Sequence, residues 1–138
     1  MSDLRKPNPT KIVLVGHCGP DSSYLRIAVK KAVPEAQILS ADDQSTLNAH
    51  LIEEPALLLL NRVLDYGFAS ESGIEVAAEM RRTHPYVKTM LVSNYPEAQA
   101  EAVAAGALPG FGKRELGTPK VTQILRNAMN VGTESKSK

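Results

Sequence analysis

"PALLLLNRVLD", residues 55–65, decides how the rest of the chain is read. An apolar run from Ala56 to Leu60 stops at Asn61. No polar residue interrupts it, so it reads as a strand buried on both faces that delivers one polar side chain to a sheet edge. That side chain is a neutral amide. Similar short runs lie on either side: "KIVLV" (11–15), "QILSA" (37–41), "VKTMLVS" (87–93) and "ALPGFGK" (107–113). Each is followed by turn chemistry and then by a stretch with helical periodicity.

The helical stretches have recognisable ends. "GHCGPDSS" (16–23) is a turn, with Asp21 or Ser22 expected to cap a helix over 24–33. Leu25, Ala28, Val29 and Ala32 share one face of it, and Pro34 closes it. Asp42 or Asp43 caps a second helix through Glu54, with Leu47, Leu51 and Ile52 expected in the core. The stretch 61–73 is a longer loop, and a third helix runs from Gly73 to His84, ahead of Pro85. A fourth, alanine-rich helix covers 96–106, with Gly106 suited to its C-cap. Thr118 and Pro119 open the last helix as N-cap and first residue, and Val121, Ile124, Leu125 and Ala128 form its apolar stripe.

Strand and helix thus alternate five times. This predicts an α/β protein, a five-stranded parallel sheet with helices on both faces in a three-layer sandwich. Residues 1–10, with Pro7 and Pro9, read as a flexible lead-in, 11–131 as one domain, and 132–138 as a disordered polar tail. In such sheets the crevice lies beyond the carboxyl ends of the strands. The residues placed there are Gly16, His17, Cys18, Asn61, Ser93 and Lys113.

Composition narrows the classes. The 138 residues are 43% hydrophobic and 22% charged, values of an ordinary globular domain. Sixteen Lys and Arg against fifteen Asp and Glu leave a formal charge of +1. That balance argues against nucleic acid and anionic membranes as partners. No tryptophan and few aromatics argue against base stacking. No apolar stretch is long enough for a membrane span, and "MSDLRKPNPT" lacks a signal-peptide core. Cys18 is the single cysteine, which excludes an internal disulfide. A cytoplasmic protein is the simplest expectation.

The order of elements, Ser93 after the fourth strand, Lys113 after the fifth and "AAGA" (104–107) ahead of it together resemble a response-regulator receiver domain. The resemblance covers about residues 11–130 and implies a flavodoxin-like (CheY-like) fold. It places the family's phospho-accepting aspartate at Asn61, and its acidic, Mg²⁺-holding pair at Gly16 and His17 or at His17 and Cys18. Arg114 stands where a proline usually follows the lysine. Gly110 stands where the fifth strand usually carries an aromatic, and Phe111, one later, points to the opposite face.

Phosphoryl transfer to such a domain needs a carboxylate nucleophile and a divalent cation. An amide forms no acyl phosphate, and Gly, His and Cys offer no hard anionic oxygens. Asn61, Ser93 and Lys113 therefore read as a vestigial phospho-site, with Lys113 expected to turn to Asp65, Asp21 or water. The resemblance then implies a signalling module of two-component type rather than an enzyme, with no cofactor and no metal. It would act by contact with a signalling protein, a histidine kinase or an output protein, through residues 96–130, or by pairing with a second copy.

Plainer readings stand beside these. Asn at a strand end is an ordinary turn residue, Ser93 suits a local backbone bond, and a lysine such as Lys113 is most often solvated. Only the three together, each after its own strand, carry a signal. Asp65 or His17 as an atypical acceptor would make an active phosphorelay protein. His17 and Cys18 are metal-ligand types, but adjacent residues rarely reach one ion, and His50 and His84 lie on helices elsewhere. Cys18 near a helix N-terminus is also a candidate redox thiol. A small-molecule-binding domain of this topology is the third alternative. The cobalamin signature Asp-x-His-x-x-Gly keeps His17 but has Val15 and Pro20 at its other positions, and the first loop lacks a flavin-type phosphate cradle.

Overall fold

The computed structural model describes residues 8–64 and 67–129. Among them lie the strands β1 (Asn8–Val15), β2 (Gln37–Ala41), β3 (Pro55–Asn61), β4 (Lys88–Val92) and β5 (Leu108–Phe111). They alternate with the helices α1 (Gly19–Ala32), α2 (Gln44–Ile52), α3 (Gly73–Thr83), α4 (Pro96–Ala105) and α5 (Pro119–Ala128). The strands form one parallel sheet in the order β2-β1-β3-β4-β5.

The uninterrupted apolar run explains the layering. Leu57 and Leu59 pack into a core with Leu25 and Val29 of α1 and Val121 and Leu125 of α5. Leu58 and Leu60 face the other way, into a core with Leu47 of α2, Val76 of α3 and Ala102 of α4. All four leucines of β3 are fully buried, as a central strand between two helical layers requires. The expected α/β three-layer sandwich is the observed fold.

Several helix ends follow from side-chain chemistry. The Asp43 carboxylate accepts from the Thr46 N–H and the Ser72 hydroxyl from the Glu75 N–H, each satisfying a free amide of the first turn. Gly106 ends α4 with φ +119°, a left-handed conformation that glycine adopts at little cost. Thr118 and Pro119 open α5 as expected.

Other boundaries differ from the sequence reading. The N-cap of α1 is Cys18, not Asp21 or Ser22. Pro20 falls in the first turn, where its missing N–H has no partner to lose, so the helix starts earlier and carries Asp21 in that turn. Ile52 is 82% exposed, not in the core. Leu47 and Leu51, four apart, define the buried stripe of α2, and Ile52 lies a further 100° or so round. The first strand reaches back to Asn8, so residues 8–10 belong to it rather than to a flexible lead-in. Its pairing with β3 shifts register between Asn8 and Ile12, where Pro9 has no N–H to give. Residues 1–7 and the expected tail 132–138 lie outside the described residues.

The β4–β5 pairing also shifts. Met90 pairs with Leu108 and Val92 with Phe111, so β5 carries one more residue than β4 over this interval, a bulge. Phe111 packs in the α1–α5 core and is 1% exposed. None of the described helices is long and apolar enough to cross a membrane.

Candidate functional site

Residues that end or follow β1, β3, β4 and β5 meet at one edge of the sheet. A cleft of about 240 Å³ there is lined by Asn61, Arg62, Ser93, Asn94, Tyr95 and Lys113, among others. Asn61, Ser93 and Lys113 are thus brought together as the topology predicts. Their bonds, however, are mostly local. The Asn61 amide donates to the Val63 carbonyl at 2.9 Å, tying down the turn after β3. The Ser93 hydroxyl oxygen accepts from the Tyr95 N–H at 3.2 Å.

Lys113 is the exception. Its ammonium forms an ion pair with Asp21 at 2.7 Å, across from the first turn of α1. Lys113 holds the Asp21 carboxyl below the usual carboxylate range, and a hydrogen bond from the Cys18 thiol adds to this against the opposing effect of partial burial. Both side chains are about a third exposed, so water screens the pair and its contribution to stability is of order 0–1 kcal/mol. The pair matters more for where it places the only described partner of Lys113. Of the three partners the sequence offered, the structure selects Asp21, and Asp65 lies outside the described residues. Lys113 opens a short 3₁₀ turn (Lys113–Glu115), and no cis peptide occurs among the described residues.

His17 is 6% exposed and points inward. Its Nε2–H donates to the Leu59 carbonyl at 2.8 Å, a bond that fixes the neutral tautomer because a carbonyl can only accept. Nδ1 is then a lone-pair acceptor, buried and with no partner among the described residues. Burial is the largest influence on the imidazole and holds its pKa below the ordinary value. The Leu59 bond and, more weakly, Asp21 and Asp42 oppose this, while Lys113 reinforces it.

A pH dependence follows. Below about pH 6.5 an unfolded chain protonates this histidine while the folded chain resists, so the unfolded state binds more protons. Stability is therefore full above that pH and falls as pH drops toward the depressed folded value. The urea midpoint should be lower at about pH 5.5 than at about pH 7.5, and His17→Gln, which keeps a donor for Leu59, should reduce that difference. An equal drop in the variant would assign the effect to other groups.

The fold family implies a divalent cation at this edge, and the donor set tests it. Gly16 has φ +75° and no side chain, and a Cβ there would lie 2.5 Å from Leu64 Cδ2. His17 is tied to Leu59, Cys18 is an exposed thiol, and Asp21 is engaged by Lys113. Among the described residues no group of three or more His, Cys, Asp or Glu converges on one point. A hard cation such as Mg²⁺ wants several anionic oxygens, so these residues do not fit it. Nor do the histidines gather: His50 Nε2 meets the Ser40 carbonyl and His84 Nδ1 the Thr83 hydroxyl.

Three residues of this region escaped the sequence reading. The Arg62 guanidinium lies over the Tyr95 ring, 5.0 Å from its centroid, at the side of the cleft. Both follow strand ends, so the rule that singled out Asn61 and Ser93 could have reached them. Gln99 reaches from α4 to β4 and β5. Its signal was faint: one amide in an alanine-rich helix, opposite a glycine in the neighbouring strand.

No family model and no curated protein sequence matches the chain. Solved structures do. The signal receiver domain of a DNA-binding response regulator from Colwellia psychrerythraea 34H superposes with a TM-score of 0.68 at 17% identity, covering 87% of this chain and 98% of that one. The receiver domain of NtrX from Brucella abortus gives 0.65 at 20%, with the same coverages of 87% and 98%. A CheY-like receiver domain protein from Methanospirillum hungatei JF-1 gives 0.58 at 19%, over 89% and 98%. At these identities the likeness is one of fold: the chain has the flavodoxin-like fold of response-regulator receiver domains.

Proposed function

We propose that this protein is a receiver-like signalling module that is not phosphorylated at the usual position and acts by protein contact. The observation that carries the reading is the reassignment of Lys113. Its ammonium is held by Asp21 at 2.7 Å, while the amide at the acceptor position, Asn61, bonds its own turn. A lysine awaiting an acyl phosphate at Asn61 would have no nucleophile to serve, and the donor set offers no cation to gather phosphoryl oxygens. His17 as a substitute acceptor is disfavoured by burial, since its free nitrogen is cut off from solvent.

The contact surface in this reading is the face of residues 96–130. Exposed Glu97 and Glu101 on α4 and exposed Arg114 and Lys120 beyond β5 place both signs of charge on it. That suits a signalling protein of complementary pattern, or a second copy of this chain.

The test is incubation with a small phosphodonor and Mg²⁺, followed by intact mass and an amide NMR titration with beryllofluoride. No phosphoryl mass gain and no saturable shifts at Asn61, Ser93 or Lys113 are expected. A mass gain mapped to Asp65 or His17 would replace this reading with that of an active phosphorelay protein.

A further inference from the structure

Gln99 occupies the second turn of α4, between the buried Ala98 and Ala102. Its Nε2 lies 2.9 Å from the Leu91 carbonyl, 3.2 Å from that of Ser93 and 3.3 Å from that of Phe111. Its Oε1 accepts the Gly110 N–H at 3.1 Å. One side chain thus joins α4 to β4, to the β4–α4 turn and to β5. A glutamine amide has two N–H groups, so three carbonyls share two protons.

The bulge in β5 is the reason such a bridge is needed. It breaks the regular ladder between Met90 and Val92, beside Gly110. Buried backbone groups outside a ladder are costly unless paired, and Gln99 accepts the Gly110 N–H there, while the Phe111 carbonyl that it also reaches accepts the Ser93 N–H as well. The bridge in turn needs Gly110. A Cβ there would overlap the Leu91 carbonyl oxygen and sit 3.1 Å from Gln99 Oε1.

We propose that Gln99 is a lock that holds α4, β4 and β5 in one arrangement, so that the surface they form is presented in a single state rather than toggled between two. A displacement of α4 would strand the Gln99 amide and the Gly110 N–H together. These bonds break as a group, which makes the alternative arrangement sparsely populated. The inference rests on the reading of this face as the contact surface. It adds that contact is set by how much partner is present, not by a conformational change in this chain.

The full chain tests this by NMR, through amide hydrogen exchange and relaxation dispersion, without any phosphodonor. The wild type should show no μs–ms exchange over residues 94–105 and slow exchange of the Gly110 amide. Gln99→Leu should speed Gly110 exchange roughly tenfold or more and bring dispersion to 94–105. Gln99→Glu keeps the acceptor for Gly110 but loses both donors. It should therefore loosen 94–105 while retaining part of the Gly110 protection, and it carries the test if the leucine variant fails to fold. Wild-type dispersion across 94–105, or Gly110 exchange unchanged in the leucine variant with no dispersion in the glutamate variant, would overturn the lock. Phosphodonor incorporation by the wild type would instead sink the reading of Asn61 and leave these measurements standing.

Discussion

Gly16→Asp should destabilise the protein by about 2–4 kcal/mol, because a left-handed backbone and an apolar contact both oppose it. Gly16 has φ +75°, and its Cβ would lie 2.5 Å from Leu64 Cδ2 and 3.6 Å from Phe68 Cε2. Aspartate tolerates left-handed backbone better than most residues, so conformational strain is the smaller part. The larger part is the placing of a carboxylate between a leucine and a phenylalanine, both buried. The urea midpoint measures the loss, and Gly16→Ala separates strain and contact from the charge. An unchanged midpoint for Gly16→Asp would mean that the loop opens to water and that the acidic position is still available. The consequence for phosphorylation is direct. Asn61→Asp alone restores a nucleophile but no cation site, so it should take up no phosphoryl group from a small donor. In the proposed reading, the shape of the first loop opposes phosphorylation as well as the amide at Asn61.

Gly110→Tyr, which would put an aromatic in the fifth strand one residue before Phe111, should cost about 3 kcal/mol or more. Its Cβ would overlap the Leu91 carbonyl oxygen and come within 3.0 Å of Met90 Cγ. A backbone oxygen in a sheet cannot swing aside as a side chain can, so β5 must move away from β4. Because the conflict begins at Cβ, Gly110→Ala should carry most of the loss. Thermal or urea denaturation of the two variants checks this. A well-folded Gly110→Ala of near wild-type stability would show that the bulge relaxes easily and would weaken the account of Gln99 as well.

How much of this could be read from the amino-acid sequence depends on the range of the interaction. The layering was legible because burial on both faces leaves no polar residue from Ala56 to Leu60, whatever the neighbours are. Asn61, Ser93 and Lys113 were legible because a parallel sheet presents the residues after its strands at one edge. The pairing of Lys113 was not. The sequence offered Asp65, Asp21 and water, and the choice depended on where α1 begins. Gly19 and Pro20 read as turn residues, yet a proline in a first turn forfeits no bond, so Cys18 became the cap and Asp21 came within reach. Ile52 was misplaced because adjacency to Leu51 is not adjacency on a helix surface.

By itself the sequence determined an alternating α/β chain, a sheet covered on both faces, and an amide rather than a carboxylate at the end of the third strand. These depend on residue type and on short-range periodicity, which a chain carries with it before it folds. The tertiary structure decided the ion pair of Asp21 with Lys113, the inward turn of His17 onto the Leu59 carbonyl, and the reach of Gln99 across two strands. Each of these joins a side chain to a group distant in sequence, and two of the three partners are backbone atoms. Apart from proline's missing N–H, backbone carbonyls and amides are the same at every residue, so only the fold can say which of them is left without a partner and which side chain is near enough to supply one.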